Sequence, residues 1–318
     1  MNHFTSAHDV TDIDHLIERT LAFKANRYTT GTEGRGKRLG LLFLNPSMRT
    51  RISTQIAAEN LGMHTIVFNI DKEGWQLELT DGAIMNGTSV EHIKDAAPVL
   101  GSYFDIIGVR TFPTLANRDA DNNEELINAL KKYAGVPILS LESTTVHPLQ
   151  SLTDLATIAE THTMKTRPRV VLLWAPHVKP LPQCVPNSFA EWVTKWDKAD
   201  LIIANPQGYD LNDKYTKGAT QLHNPENALR DADFVYVKNW SAYNDYGTLP
   251  AVSGDWLLNE ELMKLTNNAR VMHCLPVRRN VELSDEILDS PNSLVTQQAS
   301  NRVWAAQAVL SELLKQTK

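Results

Sequence analysis

The residues best suited to chemistry stand in one turn, Asn45-Pro46-Ser47-Met48-Arg49-Thr50-Arg51. Two hydroxyls and two guanidinium groups fall within five residues there. The preceding run, Leu39 to Leu44, is almost wholly apolar and reads as a buried strand. The following segment carries Ile52, Ile56, Ala57 and Leu61 at helical spacing, with Gly62 as a stop. The turn therefore hands a strand to a helix N-terminus. Backbone N–H groups point outward at such a place and the helix dipole favours an anion. Arginines add planar, paired hydrogen bonds to phosphate or carboxylate. A plain helix cap with solvated arginines is the competing reading of this turn alone.

The elements that position this turn recur along the chain. Residues 11–27 read as an amphipathic helix, Thr65 to Ile70 as a second strand, and Glu91 to Leu100 as a helix. Asp105 to Arg110 and Pro137 to Leu141 read as strands, with a helix over Asn123 to Tyr133 between them. A helix from His147 to about His162 bridges to a second series. There Val170–Trp174, Leu201–Ala204, Phe234–Lys238 and Arg270–Leu275 read as strands. Phe189–Trp196, Glu226–Asp231 and Asn259–Leu265 read as helices between them, and a last helix covers Gln297 to Leu314. Such alternation predicts an α/β protein with two doubly wound parallel-sheet domains linked by helices. Residues 1–145 form the first domain, joined by the C-terminal segment 297–318, and 146–296 the second.

Ligands of open α/β sheets bind beyond the carboxyl ends of strands. Arg110 ends one predicted strand, Glu142 and His147 follow the next, and His177 follows Val170–Trp174. Lys238 ends another strand, and His273, Cys274 and Arg278 close the last. The long polar stretch Asp71 to Ser89, with Trp75 in it, reads as a functional loop. Cys274 beside His273 invites a thiol-nucleophile reading, but neighbours on a strand face opposite ways.

Composition narrows the classes. The 318 residues carry a net charge of −6, which argues against a nucleic-acid or anionic-membrane surface. No apolar run approaches the roughly 18 residues of a membrane span, and no signal-peptide pattern is visible. Two cysteines, Cys184 and Cys274, give no disulfide framework, and a reducing cytoplasm is the simplest compartment. No HExxH, CxxC or aspartate cluster points to a metal, and no dinucleotide glycine fingerprint to a cofactor. Gly31–Arg38 falls one residue short of a phosphate-binding P-loop, with Arg38 where a Ser or Thr is needed and the strand on the wrong side.

Ser-x-Arg-Thr-Arg at 47–51, His-Pro-x-Gln at 147–150 and His-Cys-Leu-Pro at 273–276, in this order and spacing, resemble the carbamoyltransferase family over almost the whole chain. The resemblance implies one domain for carbamoyl phosphate, one for the amine, and a homotrimer with shared active sites. It assigns carbamoyl phosphate to Ser47, Met48, Arg49 and Thr50 of the first turn. Trp75, Arg110, His147, Gln150, Cys274, Leu275 and Arg302 complete that set. Thr50, Arg110 and His147 are then the donors to the carbonyl oxygen, and Trp75 serves the neighbouring subunit's site.

The departures refine the substrate. Cys274 stands where aspartate-type members usually carry Pro. The Asp and Ser-Met-Gly loop that grip a free α-amino group in ornithine enzymes are missing, and Lys238-Asn239-Trp240 stands instead. A cation there repels an α-ammonium and attracts a carboxylate, which suits an acylated ornithine. The stretches 174–188 and 275–280 resemble acylornithine carbamoyltransferases, in which the Pro-rich segment belongs to a backbone knot. Glu142, His177, Lys238 and Arg278 are the acylornithine residues implied. Acetyl-specific members carry a Glu where Val90 stands; Val90 leaves room for a succinyl group, whose carboxylate Lys179 can pair. The expected reaction is carbamoyl transfer from carbamoyl phosphate to the Nδ amine of N-succinyl-L-ornithine, in arginine synthesis. N-acetyl-L-ornithine is the alternative. A non-catalytic binding protein of the same fold would not need the intact donor set.

Overall fold

The computed structural model describes residues 1–27, 29, 31–164 and 166–317. Thr30, within the linker that precedes the first strand, and Lys318, at the end of the C-terminal segment, lie outside the described residues. Two compact units emerge. The first comprises Met1–Thr114, Asp119–Leu149 and Arg302–Lys318; the second comprises Leu115–Arg118 and Gln150–Asn301. The chain passes between them inside two helices, Pro148–Thr161 and Val295–Leu314.

The first unit is built on strands β1 (Arg38–Phe43), β2 (His64–Asn69), β3 (Leu77–Glu78), β4 (Glu91–His92), β5 (Ile106–Arg110) and β6 (Ile138–Glu142). Four of them form a parallel sheet in the order β2-β1-β5-β6, and β3 and β4 pair separately. All of β5 and β6, and β1 apart from Arg38, are buried. Parallel strands covered on both faces read as continuous apolar runs, which is why these were legible. Ile93 and Ala97 of helix Ile93–Tyr103 and Ile127 and Leu130 of helix Glu125–Tyr133 pack with Leu42, Ile107 and Val109. Each fully buried Leu, Ile or Val side chain among them contributes about 1.5–3 kcal/mol. Gly40 is required by close packing, because a Cβ there would lie 2.6 Å from the Phe104 ring.

The second unit holds β7 (Arg169–Trp174), β8 (Asp200–Ala204), β9 (Thr220–Leu222), β10 (Phe234–Lys238) and β11 (Arg270–Met272), all parallel, in the order β11-β10-β7-β8-β9. Trp174 Nε1 donates to Trp240 O at 2.8 Å and Trp240 Nε1 to Tyr209 O at 2.7 Å. These buried aromatics clamp the carboxyl ends of β7 and β10 together. The Pro-rich stretch is tied to the same place, with Ser241 N–H on Leu181 O at 2.9 Å.

Several elements differ from the sequence reading. The last strand ends at Met272, not Leu275. His273 N–H goes to Gln298 Oε1 at 2.9 Å instead of a ladder carbonyl, and Leu275 takes φ 54°. The helix expected over Asn123–Tyr133 begins at Glu125, because Glu124, with a φ of 50°, breaks the path from the short helix Arg118–Asn122. Glu91 and His92 form β4 rather than opening a helix. The helix expected from Phe189 begins at Cys184, since Pro186 sits in its first turn, where a missing N–H costs nothing. β9 is three residues long and only partly buried, too weak a pattern to see.

Among the described residues no helix is long and apolar enough to cross a membrane.

Candidate active site

In each sheet the strand order reverses direction once. In the first unit the reversal falls between β1 and β5; in the second, between β7 and β10. A crevice opens at the carboxyl ends of such a strand pair. The first of these ends carries Ser47–Thr50 and Arg110, the second His177 and Lys238.

Ser47 caps helix Met48–Asn60: its Oγ accepts from Thr50 N–H at 3.4 Å and donates to Thr50 Oγ1 at 3.0 Å. Arg302 Nη2 donates to the same Thr50 oxygen at 2.8 Å, across 252 residues of sequence. With two donors on its oxygen, the Thr50 hydroxyl has its own hydrogen left to give. Met48 and Arg49 are the first helical residues, where backbone N–H groups have no intrahelical acceptor. The Met48 side chain is 69% exposed, so what it offers at this end is its backbone.

Arg110 and Glu142 meet because β5 and β6 slip register after Val109, which brings Arg110 opposite Glu142. Bulges of this kind re-aim side chains beside functional sites. Arg110 Nη1 and Glu142 Oε2 form a buried ion pair, and His147 Nε2 lies 3.7 Å from the same carboxylate oxygen. Burial, with the charges of Arg302 and Arg110, pushes the His147 imidazole well below its ordinary pKa. His147 is therefore neutral near pH 7. The first unit thus joins Ser47, Thr50, Arg110, Glu142, His147 and Arg302, with cations in excess.

In the second unit Arg278 Nε donates to His177 Nε2 at 3.1 Å. An arginine can only donate, so the His177 proton sits on Nδ1, which reaches Lys179 O at 2.8 Å. Burial lowers the His177 pKa, in keeping with this neutral tautomer. Lys238 is buried at the end of β10. Gln150 donates Nε2 to Asp154 Oδ1 at 2.7 Å.

His273 Nδ1 accepts from Leu275 N–H at 2.9 Å and Nε2 faces Glu282 Oε1 at 3.4 Å. Both ring nitrogens are engaged, so His273 is no base for Cys274. This replaces the strand-geometry reason, since Cys274 lies beyond the end of β11.

Trp75 and Val90 stand on the segment between β2 and helix Ile93–Tyr103 and are 53% and 66% exposed. Trp75 Nε1 donates to Glu91 Oε2 at 2.9 Å, and Val90 N–H to Gln76 O at 3.0 Å. Neither has a hydrogen bond to the Thr50–Arg302 cluster. Lys179 is exposed, its backbone carbonyl accepting from His177 Nδ1–H.

Glu282 was missed by sequence reasoning. It is 1% exposed and accepts from Arg278 N–H at 2.8 Å. Burial raises its pKa, but the His273 hydrogen bond and charge, then Lys238, bring it down to about 2. Glu282 thus links His273, Arg278 and Lys238. Only its position four residues after Arg278 hinted at it, and residue type says nothing of burial.

Among the described residues no group of three or more His, Cys, Asp or Glu side chains is arranged to hold a metal.

Residues 2–160 match the aspartate/ornithine carbamoyltransferase carbamoyl-P binding domain, and residues 185–313 the Asp/Orn binding domain of the same family. The chain is 44% identical over 317 residues to the N-succinylornithine carbamoyltransferase of Bacteroides fragilis, covering 99% of each. It is 33% identical to the N-acetylornithine carbamoyltransferase of Xanthomonas campestris, covering 100% of this chain and 99% of that one. A solved N-acetyl-L-ornithine transcarbamylase with one glutamate replaced by valine, complexed with carbamyl phosphate and N-succinyl-L-norvaline, superimposes with a TM-score of 0.89. It shares 33% identity and covers 98% of this chain and 100% of that one. With both domains of the fold matched and full-length relatives well above 30% identity, the chain belongs to the aspartate/ornithine carbamoyltransferase family.

Proposed function

We propose that the protein transfers the carbamoyl group of carbamoyl phosphate to the Nδ amine of N-succinyl-L-ornithine, giving N-succinyl-L-citrulline and phosphate. The observation that carries the chemistry is the convergence of Ser47 and Arg302 on Thr50 at a helix N-terminus. Buried Arg110 and neutral His147 belong to the same unit. The helix end, Ser47, Arg49 and Arg302 hold the phosphate. Thr50, Arg110 and His147 donate to the carbonyl oxygen as it gains negative charge, and preset donors of this kind usually contribute most to catalysis. Gln150 and the backbone carbonyls of Cys274 and Leu275 accept from the carbamoyl NH2. Nδ bonds to the carbonyl carbon, the C–O bond to phosphate breaks, and phosphate leaves with one amine proton. The amine must first be neutral, a state that an alkylamine reaches in only about one molecule in 2,500 at pH 7.

Lys238 and Arg278 receive the α-carboxylate, and His177 orients the Arg278 guanidinium toward it. Glu142, which the sequence associates with the acylornithine, is committed to Arg110 in this structure and also holds that donor in line. Val90 sets the acyl preference: a glutamate would repel the succinyl carboxylate and fill its space, whereas valine does neither, and Lys179 supplies a cation. The relative with 44% identity supports succinyl over acetyl. A pathway role in arginine synthesis and a cytoplasmic location belong to the same proposal.

A homotrimer completes it. Met48, Ile52 and Ile56 form an exposed apolar stripe at four-residue spacing on the helix that bears the phosphate turn. A second copy covering this face would bring its Trp75 segment to the site. The contacts between the Pro-rich stretch and Ser241 support the knotted passage implied by resemblance.

The test is an assay of ureido product with carbamoyl phosphate and, in turn, ornithine, N-acetylornithine, N-succinylornithine and putrescine. N-succinylornithine is expected far above the rest. Val90→Glu is expected to move the succinyl-to-acetyl ratio of kcat/KM toward acetyl by about tenfold or more. A wild-type preference for the acetyl substrate, or an unmoved ratio, contradicts the acyl assignment.

A further inference from the structure

Asp154 is fully buried on the inner face of helix Pro148–Thr161 and touches none of the substrates assigned above. One of its oxygens, Oδ1, accepts from Gln150 Nε2 and from Gln298 Nε2, each at 2.7 Å. Gln298 Oε1 in turn accepts from His273 N–H at 2.9 Å. The chain Gln150–Asp154–Gln298–His273 is continuous and lies within the second unit. It ends one residue before Cys274. The Tyr236 hydroxyl, also buried, lies against Asp154 and Cys274 and is kept protonated by burial and by Asp154.

An amide side chain can present oxygen or nitrogen to a ligand, and its neighbours decide which. A carboxylate oxygen accepts and cannot donate, so Gln150 must give it the NH2 end. The Gln150 oxygen is thereby turned the other way. By the same logic Gln298 gives its NH2 to Asp154 and keeps its oxygen for His273 N–H. That bond draws the backbone out of β11 and sets the carbonyls that follow.

We propose that Asp154 is a positioning residue for the carbamoyl amide: it fixes Gln150 oxygen-first, and through Gln298 it fixes the backbone that presents the Cys274 carbonyl. The proposal rests on the carbamoyl-phosphate reading and deepens it. Asp154 makes the site an acceptor-only receptor for an NH2 group. It is thus what lets the enzyme tell a carbamoyl group from an acetyl group of nearly the same shape.

Two unreactive ligands separate this from a packing role. Phosphonoacetamide carries the amide NH2; acetonylphosphonate carries a methyl group in its place and is otherwise alike. Binding of each to the full-length protein is measured by calorimetry. The wild type is expected to prefer the amide. Asp154→Ala is expected to weaken phosphonoacetamide about tenfold, the worth of one well-placed hydrogen bond, and to leave acetonylphosphonate within about twofold. Asp154→Asn, which keeps an accepting oxygen, is expected to restore the preference. Should Asp154→Ala not fold, Gln298→Met tests the relay, with an expected loss of about threefold on the amide alone.

Equal weakening of both ligands overturns the proposal in favour of packing. An undiminished preference in Asp154→Ala or, in its place, Gln298→Met also overturns it. A wild type that binds neither ligand overturns the carbamoyl-phosphate reading itself.

Discussion

Arg110→Met is expected to lower kcat by about a thousandfold, the loss typical of one oxyanion donor removed from a dry site. It is also expected to destabilise the fold by about 3–5 kcal/mol, because Glu142 is left buried without its cation. Methionine fills much of the space, so the loss is electrostatic. The two effects separate in a double variant. Glu142→Gln added to Arg110→Met removes the stranded charge and should return most of the stability in a urea titration. Activity should stay low, since the donor is still gone. If the double variant regained activity with stability, Arg110 would be a structural ion-pair partner and no more. A kcat within tenfold of wild type in the single variant would also contradict its catalytic role.

Glu282→Leu is the second large effect. It leaves Lys238 buried without its counter-charge and His273 Nε2 without its acceptor, at a cost of about 3–5 kcal/mol. It also frees the Arg278 backbone, so the acylornithine should bind out of line and kcat/KM should fall about a hundredfold. Most of that fall is expected in KM for the acylornithine, with KM for carbamoyl phosphate little changed. The pH dependence gives an independent reading. The Glu282 carboxyl is lowered from 4.5 to about 2 in the fold. Below 4.5 the unfolded chain takes up a proton that the folded chain refuses. Its stabilisation is therefore complete above pH 4.5 and is lost as pH falls toward 2. Wild-type stability should drop across this window, and Glu282→Gln should flatten that slope. A slope unchanged in Glu282→Gln would assign the acid lability to other groups.

Much of this arrangement was legible because parallel strands hide both faces. β1, β5, β7 and β10 stand out as runs such as Leu39–Phe43 and Phe234–Val237, and the polar residue after each run lies at a carboxyl end. That logic alone points to Thr50, Arg110, His177 and Lys238. What stayed hidden depends on side chains that meet across the fold. Glu282 and Asp154 look like any other acidic residue until their burial is known. The end of β11 was misread because His273 N–H leaves the ladder for Gln298, 25 residues on. The one-residue slip between β5 and β6 that pairs Glu142 with Arg110 has no counterpart in composition or period. Val90 and Trp75 carry the opposite lesson: both are exposed, and the roles proposed for them rest on resemblance to acylornithine enzymes, since packing says nothing of them.

The most direct measurement is a crystal structure with a bisubstrate ligand, Nδ-phosphonoacetyl-N-succinyl-L-ornithine. The phosphonate is expected at the N-terminus of helix Met48–Asn60, on Ser47, Arg49 and Arg302. The phosphonoacetyl carbonyl oxygen is expected on Thr50, Arg110 and His147, and the α-carboxylate on Lys238 and Arg278. A phosphonate bound away from that helix end, with Arg302 still on Thr50 alone, would contradict the account.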